Sequence, residues 1–304
     1  MSKQIHFGKC ALCGCEGPLT FEHIPPKSAL NQYPAKAYSA NDVLNRHDKM
    51  PWDYSGLKYT DMQRGVGAYT LCKNCNNQTG EWYGNDYKSV ILQLYGALND
   101  LKGKEQNKYK IRINNFHGLR FIKQVFSMFC SINNFDANPI INKEFDTSGY
   151  PPFLKRICDY QIALNNALVV IDDLRRFVLN KELHGIDKSV FKLCMYLTQD
   201  SIPKQDAISV KMDNNSISIL SEISTFPVGF ILYFFPSSGD TNIGMDITSL
   251  ADYTYDDLIF MELPYKTYQT NIFLPEDFRT KDEIIQTIEN NRKWIKEHDS
   301  DENV

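Results

Sequence analysis

The sequence predicts an α+β protein whose front end is tied together by zinc, and three observations carry that expectation. Two Cys-x-x-Cys pairs, Cys10/Cys13 and Cys72/Cys75, stand in the first quarter of the chain. Behind them, segments with apolar residues at helical spacing give way, from about residue 207, to segments that alternate with period two. That order suits helices packed on a mostly antiparallel sheet better than repeated βαβ units. At 304 residues, 35.1 kDa and 42% apolar content the chain can bury substantial cores. Residues 99–110 are charged and nearly free of apolar side chains, so the boundary falls there, giving domains 1–98 and 99–304.

Residues 10–23 read as a cysteine-bearing turn followed by a short strand. Gly14 and Gly17-Pro18 supply the turn, Leu19-Thr20-Phe21 is β-compatible, and Pro25-Pro26 must end the strand. Strict alternation sends Glu22 and His23 to opposite faces, so both reach one centre only if the strand bends or stops there. Residues 27–68 are polar and loop-like. They interleave Lys27, Lys36, Arg46, Lys49, Lys58 and Arg64 with Tyr33, Tyr38, Trp52, Tyr54 and Tyr59. Cations beside aromatic rings suit contact with nucleic acid, and a locally packed insertion explains them equally well. Lys27, Arg46, Lys49 and Arg64 are the candidate contacts.

Past the second cysteine pair, Tyr87, Val90, Ile91, Leu94, Tyr95 and Leu98 predict a helix capped at Asn85 or Asp86. A second apolar stripe, Leu119, Ile122, Val125, Phe126, Phe129 and Ile132, predicts a core helix over 117–132. Residues 133–153 read as a loop, 161–171 as an apolar run and 188–198 as helical. A hairpin is expected around Asp213-Asn214-Asn215. Strands follow over 229–235, 257–262 and 268–274, then a helix over 281–298 with an acidic end.

Four cysteines in two matched pairs point to a structural Zn2+ held by Cys10, Cys13, Cys72 and Cys75, each pair giving two ligands from one tight turn. His6 and Cys15 are near enough in sequence to replace one ligand. Zinc in such sites contributes on the order of 10 kcal/mol to folding. Cys130, Cys158 and Cys194 sit in apolar contexts and read as core thiols. Eight cysteines in such a chain do not make a disulfide scaffold, which favours a reducing, cytoplasmic setting. No apolar stretch is long enough to span a bilayer, so no membrane partner is expected. A thioredoxin-like role is disfavoured because no βαβ setting surrounds either pair. Net charge is −4 overall, but residues 1–95 carry 10 Lys/Arg against 8 Asp/Glu, which places any phosphate-facing surface at the front.

The sequence of motifs, Cys10/Cys13, then Leu19-Thr20-Phe21-Glu22-His23-Ile24-Pro25-Pro26, then Cys72/Cys75 with Asn76, resembles the HNH endonuclease family in its zinc-stabilised form. The match covers about residues 8–85. The resemblance implies a ββα-metal fold in the front domain, whereas the α+β domain with a mostly antiparallel sheet behind it is read from the apolar patterning alone. It implies a metal-dependent nuclease that hydrolyses phosphodiester bonds, DNA ahead of RNA, in a bacterial or phage restriction, defence or mobile-element setting. It makes His23 the general base and Glu22 and Asn76 the ligands of a catalytic Mg2+ or Mn2+. That assignment is chemically coherent, because histidine titrates near neutrality and a carboxylate with an amide oxygen suits a hard cation. The second domain is left to recognise substrate or a protein partner, or to regulate the cut.

The chain departs from the resembled pattern in two places. Gly67 stands five residues before Cys72, where the family carries an asparagine that braces the histidine loop, and Asn41 or Asn45 of the insertion could cover for it. Gly80 falls inside the helix expected after Cys75, where glycine shortens or bends a helix. These departures keep open an alternative: a catalytically inactive, zinc-stabilised module that binds nucleic acid or protein. His47 reads as a solvated residue, and Asn77 carries no assigned role.

Overall fold

A computed structural model describes residues 5–39, 53–135, 152–199, 203–212, 217–237, 243–268 and 281–298, together with Asp42, Arg46 and Lys49. Asn41, Asn45, His47 and Trp52, the 213–215 turn, most of the 133–153 loop, all but Tyr268 of the 268–274 strand and the acidic C-terminal end lie outside the described residues, as does the side chain of Cys158.

The fold is α+β with antiparallel pairing throughout its named strands. At the front, β1 (His6–Lys9), β2 (Glu16–His23) and β5 (Gly67–Cys72) form a sheet in the order β1-β2-β5. Helix α1 (Lys73–Trp82) begins on the residue after β5, and α2 (Gly84–Asp100) follows almost at once. The insertion between β2 and β5 contains a paired β3 (Ala35–Tyr38) and β4 (Tyr59–Met62), which the loop-like composition hid. Behind these lie β6 (Lys110–His117), α3 (Gly118–Ile132) and the long α4 (Pro152–Leu179). A five-stranded sheet is built from β7 (Phe191–Leu197), β8 (Lys204–Met212), β9 (Ile217–Thr225), β10 (Val228–Phe234) and β11 (Met245–Asp246), in the order β11-β7-β10-β9-β8. Strand β12 (Leu258–Pro264) returns to pair with β6, and α5 (Lys281–His298) ends the described chain.

Two expectations are corrected. Residues 188–198 are not helical: Phe191–Leu197 is an interior strand hydrogen-bonded to β10 on one side and β11 on the other. A fully buried strand carries a continuous apolar run, and such a run does not reveal its period. Gly80 does not stop α1, which runs on to Trp82; a Cβ at this position would meet nothing within 4 Å. The other elements fall near their expected positions, with the 161–171 run enlarged to the 28-residue α4.

Helix α3 is the centre of the molecule. Thirteen of its fifteen residues are buried, so its surroundings are protein on nearly every side. It touches α1, α2, α4, β5, β6, β8 and β9. Leu71, Val90, Phe121, Leu174 and Phe230 belong to one continuous hydrophobic cluster, which therefore runs through both sides of residue 98. Among the described residues, no helix is long and apolar enough to cross a membrane.

Candidate active site

The four cysteines come together. Cys10 and Cys13 lie on the turn between β1 and β2, where Cys10 donates its N–H to Cys15 O and Gly14 (φ +71°) donates back to Cys10 O. Only glycine adopts that backbone region without strain. Cys72 ends β5, and Cys75 sits in the first turn of α1, so both pairs meet at the start of a helix. All four sulphur atoms lie within 4.8 Å of one another, and Cys13 Sγ is 3.9 Å from Cys72 Sγ. A tetrahedral zinc with Zn–S bonds of about 2.3 Å requires sulphurs about 3.8 Å apart, so the cluster fits that ion. The N–H of Cys72 also donates to Cys10 Sγ at 3.3 Å, which favours a thiolate there. The alternatives are set aside: Cys15 turns to the carbonyl of Cys13, and the His6 ring stacks on Tyr69 with centroids 3.6 Å apart.

Glu22, His23 and Asn76 line one cavity of about 300 Å³, shared with Lys27, Thr79 and Gln124. Neighbouring residues on a strand normally face apart. Here β2 ends at His23 and both residues line the same space, while the β2–β5 register slip nearby places its extra residue, Thr70, on β5.

Glu22 is no surface carboxylate. It is 5% exposed, and its Oε2 accepts hydrogen bonds from Thr70 Oγ1 at 2.9 Å and from Ser131 Oγ of α3 at 2.5 Å. Burial pushes its carboxyl up to about 7, and the two hydroxyls pull against that rise. A cation beside it would favour the carboxylate.

His23 is held by one nitrogen. Its Nε2 lies 3.0 Å from the carbonyl of Arg64, which can only accept, so Nε2 carries the proton and Nδ1 keeps its lone pair. The ring also meets the Phe21 ring edge-on at 5.1 Å. Burial, with the charge of Lys27 adding to it, lowers the histidine below its ordinary value despite the Arg64 carbonyl, so the ring stays neutral near pH 7.

The segment that offers Arg64 is itself clamped. Asn31 is 8% exposed, and its Nδ2 donates to Pro25 O at 2.6 Å and to Val66 O at 2.7 Å while its Oδ1 accepts the Val66 N–H at 2.8 Å. Gly65 (φ +102°) lies against it so closely that a Cβ would come within 2.3 Å of Asn31 O. Gly67 is equally confined, since a Cβ there would come within 2.0 Å of Glu22 O. The departure at position 67 thus has a steric reason, and an asparagine elsewhere in the insertion ties the histidine loop down.

Asn76 is fixed by its nitrogen: Nδ2 donates to Thr20 Oγ1 at 2.9 Å and to Phe21 O at 3.5 Å. Its Oδ1 has no protein partner among the described residues. The cation candidates divide. Lys27 is exposed and lines the cavity, Arg64 is exposed and contributes its carbonyl to His23, and Lys49 is exposed away from these contacts. The Arg46 guanidinium bonds the carbonyls of Ser55 and Asp53 within its own loop. The interleaved aromatics pack on one another, with Tyr38 stacked on Tyr54 at 4.6 Å and Lys36 over the Tyr59 ring at 4.0 Å.

Sequence reasoning missed three residues here: Asn31, Gln124 and Ser131. Asn31 left no signal, because it acts on backbone atoms 35 residues away. Gln124 and Ser131 left one, as polar positions seven apart on one face of a helix whose apolar stripe predicts a core position. Compared with models of known protein families, with curated proteins and with solved structures, the chain matches none.

Proposed function

We propose that the chain is a zinc-stabilised nuclease of HNH type, which uses a divalent cation to hydrolyse phosphodiester bonds, DNA ahead of RNA. The single observation in its favour is that Glu22, His23 and Asn76 line one cavity next to the four-cysteine cluster. The antiparallel pair β2–β5 leading straight into α1 suits the ββα arrangement that the reading requires.

Each residue then has a task set by its own geometry. The four cysteines hold Zn2+ and so fix β2 against α1. Glu22 and Asn76 hold Mg2+ or Mn2+ through oxygens, since Asn76 has its nitrogen committed to Thr20 and Phe21. When bound, that cation supplies charge stabilisation to the phosphate and the leaving oxygen. His23 Nδ1 takes a proton from water as the water attacks phosphorus, and the Arg64 carbonyl keeps the ring in the tautomer that leaves Nδ1 free. Lys27, exposed on the cavity wall, suits the phosphate charge.

A plasmid-nicking assay on zinc-loaded protein with Mg2+ or Mn2+ tests this reading. Cutting should fall about 100-fold or more in His23→Ala, the scale of losing a general base. Protein that cuts neither DNA nor RNA with any divalent ion would leave the inactive binding module as the better account. A His23→Ala variant that cuts like wild type would remove His23 from the chemistry.

A further inference from the structure

Helix α3 carries five polar side chains, Arg120, Lys123, Gln124, Ser127 and Ser131. Gln124, Ser127 and Ser131 are three and four residues apart, hence on one face, and none is more than 3% exposed. Ser131 donates to Glu22, and Gln124 lines the same cavity as Glu22. Such a face is costly in a core unless its polar atoms are paired, and buried polar atoms nearly always are. Gln124 Oε1 and Ser127 Oγ are buried and have no hydrogen-bond partner among the described residues, and of the two only Gln124 lines the cavity.

Two more oxygens among the residues that line this cavity lack a protein partner among the described residues, although unlike Gln124 Oε1 they are open to solvent. Glu22 gives Oε2 to the hydroxyls of Thr70 and Ser131, and its Oε1 has no protein partner among the described residues. Asn76 has Nδ2 committed and Oδ1 without a partner. The three residues come from β2, α1 and α3, and all three line the one cavity. Three acceptors without a donor suit a hard divalent cation, which takes carboxylate and amide oxygens together. An apolar ligand would leave all three unsatisfied.

We propose that Gln124 Oε1 is a third protein ligand of the divalent cation held by Glu22 and Asn76. The inference rests on the nuclease reading and extends it: α3, which lies outside the 8–85 stretch, forms one wall of the cation site. Its polar face then has a purpose at both ends, with Ser131 holding the carboxylate and Gln124 supplying an oxygen. A front domain alone would carry only two of the three protein ligands.

The experiment titrates Mn2+ alone into zinc-loaded full-length protein by calorimetry, comparing wild type with Gln124→Met and Gln124→Glu. Wild type should bind one Mn2+ per chain. Gln124→Met, close in shape and without the oxygen, should weaken binding about tenfold or more, a loss typical of damage to a metal shell. It should also raise the melting temperature of Mn2+-free protein, because an unpaired buried oxygen has been removed. Gln124→Glu should bind Mn2+ more tightly than wild type. Rising stability with falling affinity is a combination that a packing role does not produce. Wild type that binds Mn2+ and variants that match it would overturn the role of Gln124 and leave the nuclease reading intact. Wild type that neither binds Mn2+ nor nicks DNA would overturn the reading itself. Should Gln124→Met fail to fold, the absence of tighter binding in Gln124→Glu would decide against the proposal.

Discussion

At the level of single residues, the candidate base depends on Asn31 more than on its sequence neighbours. Asn31 grips Val66 by both its N–H and its carbonyl, Val66 adjoins the Gly65 turn, and the turn presents the Arg64 carbonyl to His23. Asn31→Ala would leave the Val66 N–H without its acceptor and should destabilise the fold by about 2–3 kcal/mol, measured by urea unfolding. Nicking should fall about tenfold or more below what the lost folded fraction explains, because the His23 ring loses its anchor. Unchanged cutting in the folded variant would show that the ring needs no clamp. None of this was legible in the sequence, where Asn31 is one of many polar residues in a loop. That Glu22, His23 and Asn76 share one neighbourhood was legible, because their sequence neighbours are distinctive. What the sequence could not show was Glu22's burial, or its hydrogen bond from Ser131, 109 positions away. Lys123 was equally hidden: it is wholly buried in α3, and its ammonium reaches the carbonyls of Asn180 and Lys181 past the end of α4.

At the level of elements, the four-cysteine cluster lies where the front sheet meets its helix. The Cys10–Cys13 turn belongs to the β1–β2 connection and the Cys72–Cys75 step to the β5–α1 junction, so an ion held there would close the sheet onto the helix. Spacing made this readable, since Cys-x-x-Cys places two sulphurs on one turn wherever the turn lies. Strand β7 was unreadable for the opposite reason, because burial on both faces erased its alternation. The insertion was half readable: β3 and β4 are four residues each, and Tyr38 of β3 meets the rings of Tyr54 and of the exposed Tyr59 of β4. Zinc removal with a strong chelator should lower the melting temperature sharply, given a metal contribution on the order of 10 kcal/mol. Cys13→Ser should reduce bound zinc below one per chain, whereas Cys15→Ser should leave one, with metal analysis as the readout. Full zinc retention in Cys13→Ser together with loss in Cys15→Ser would reassign the fourth ligand.

At the level of the whole molecule, the question is whether the front end can work alone. The α+β class was legible from the change of period along the chain, but the seam between the two parts was not, because charge and polarity mark where a chain is exposed and not which faces it covers. Across that seam, Tyr83 OH donates to Val178 O at 2.7 Å, Ser131 bonds Glu22, and the Gln205 amide bonds the carbonyl of Ile24 beside the candidate base. Helix α2 buries Tyr87, Val90, Ile91, Leu94 and Leu98, and its neighbour α3 lies beyond residue 98. Each such side chain is worth roughly 1.5–3 kcal/mol when fully buried, so exposing five of them outweighs the usual stability of a small domain. A fragment of residues 1–98 should therefore bind zinc, because its four cysteines are local to it, yet melt without a sharp transition and bind a hydrophobic dye. It should also lack nicking activity, having lost Ser131, one of the two hydroxyls that hold Glu22. A fragment that melts cooperatively and cuts DNA like the full chain would show that the front end is independent and that the contacts from α3 and β8 are incidental to its chemistry.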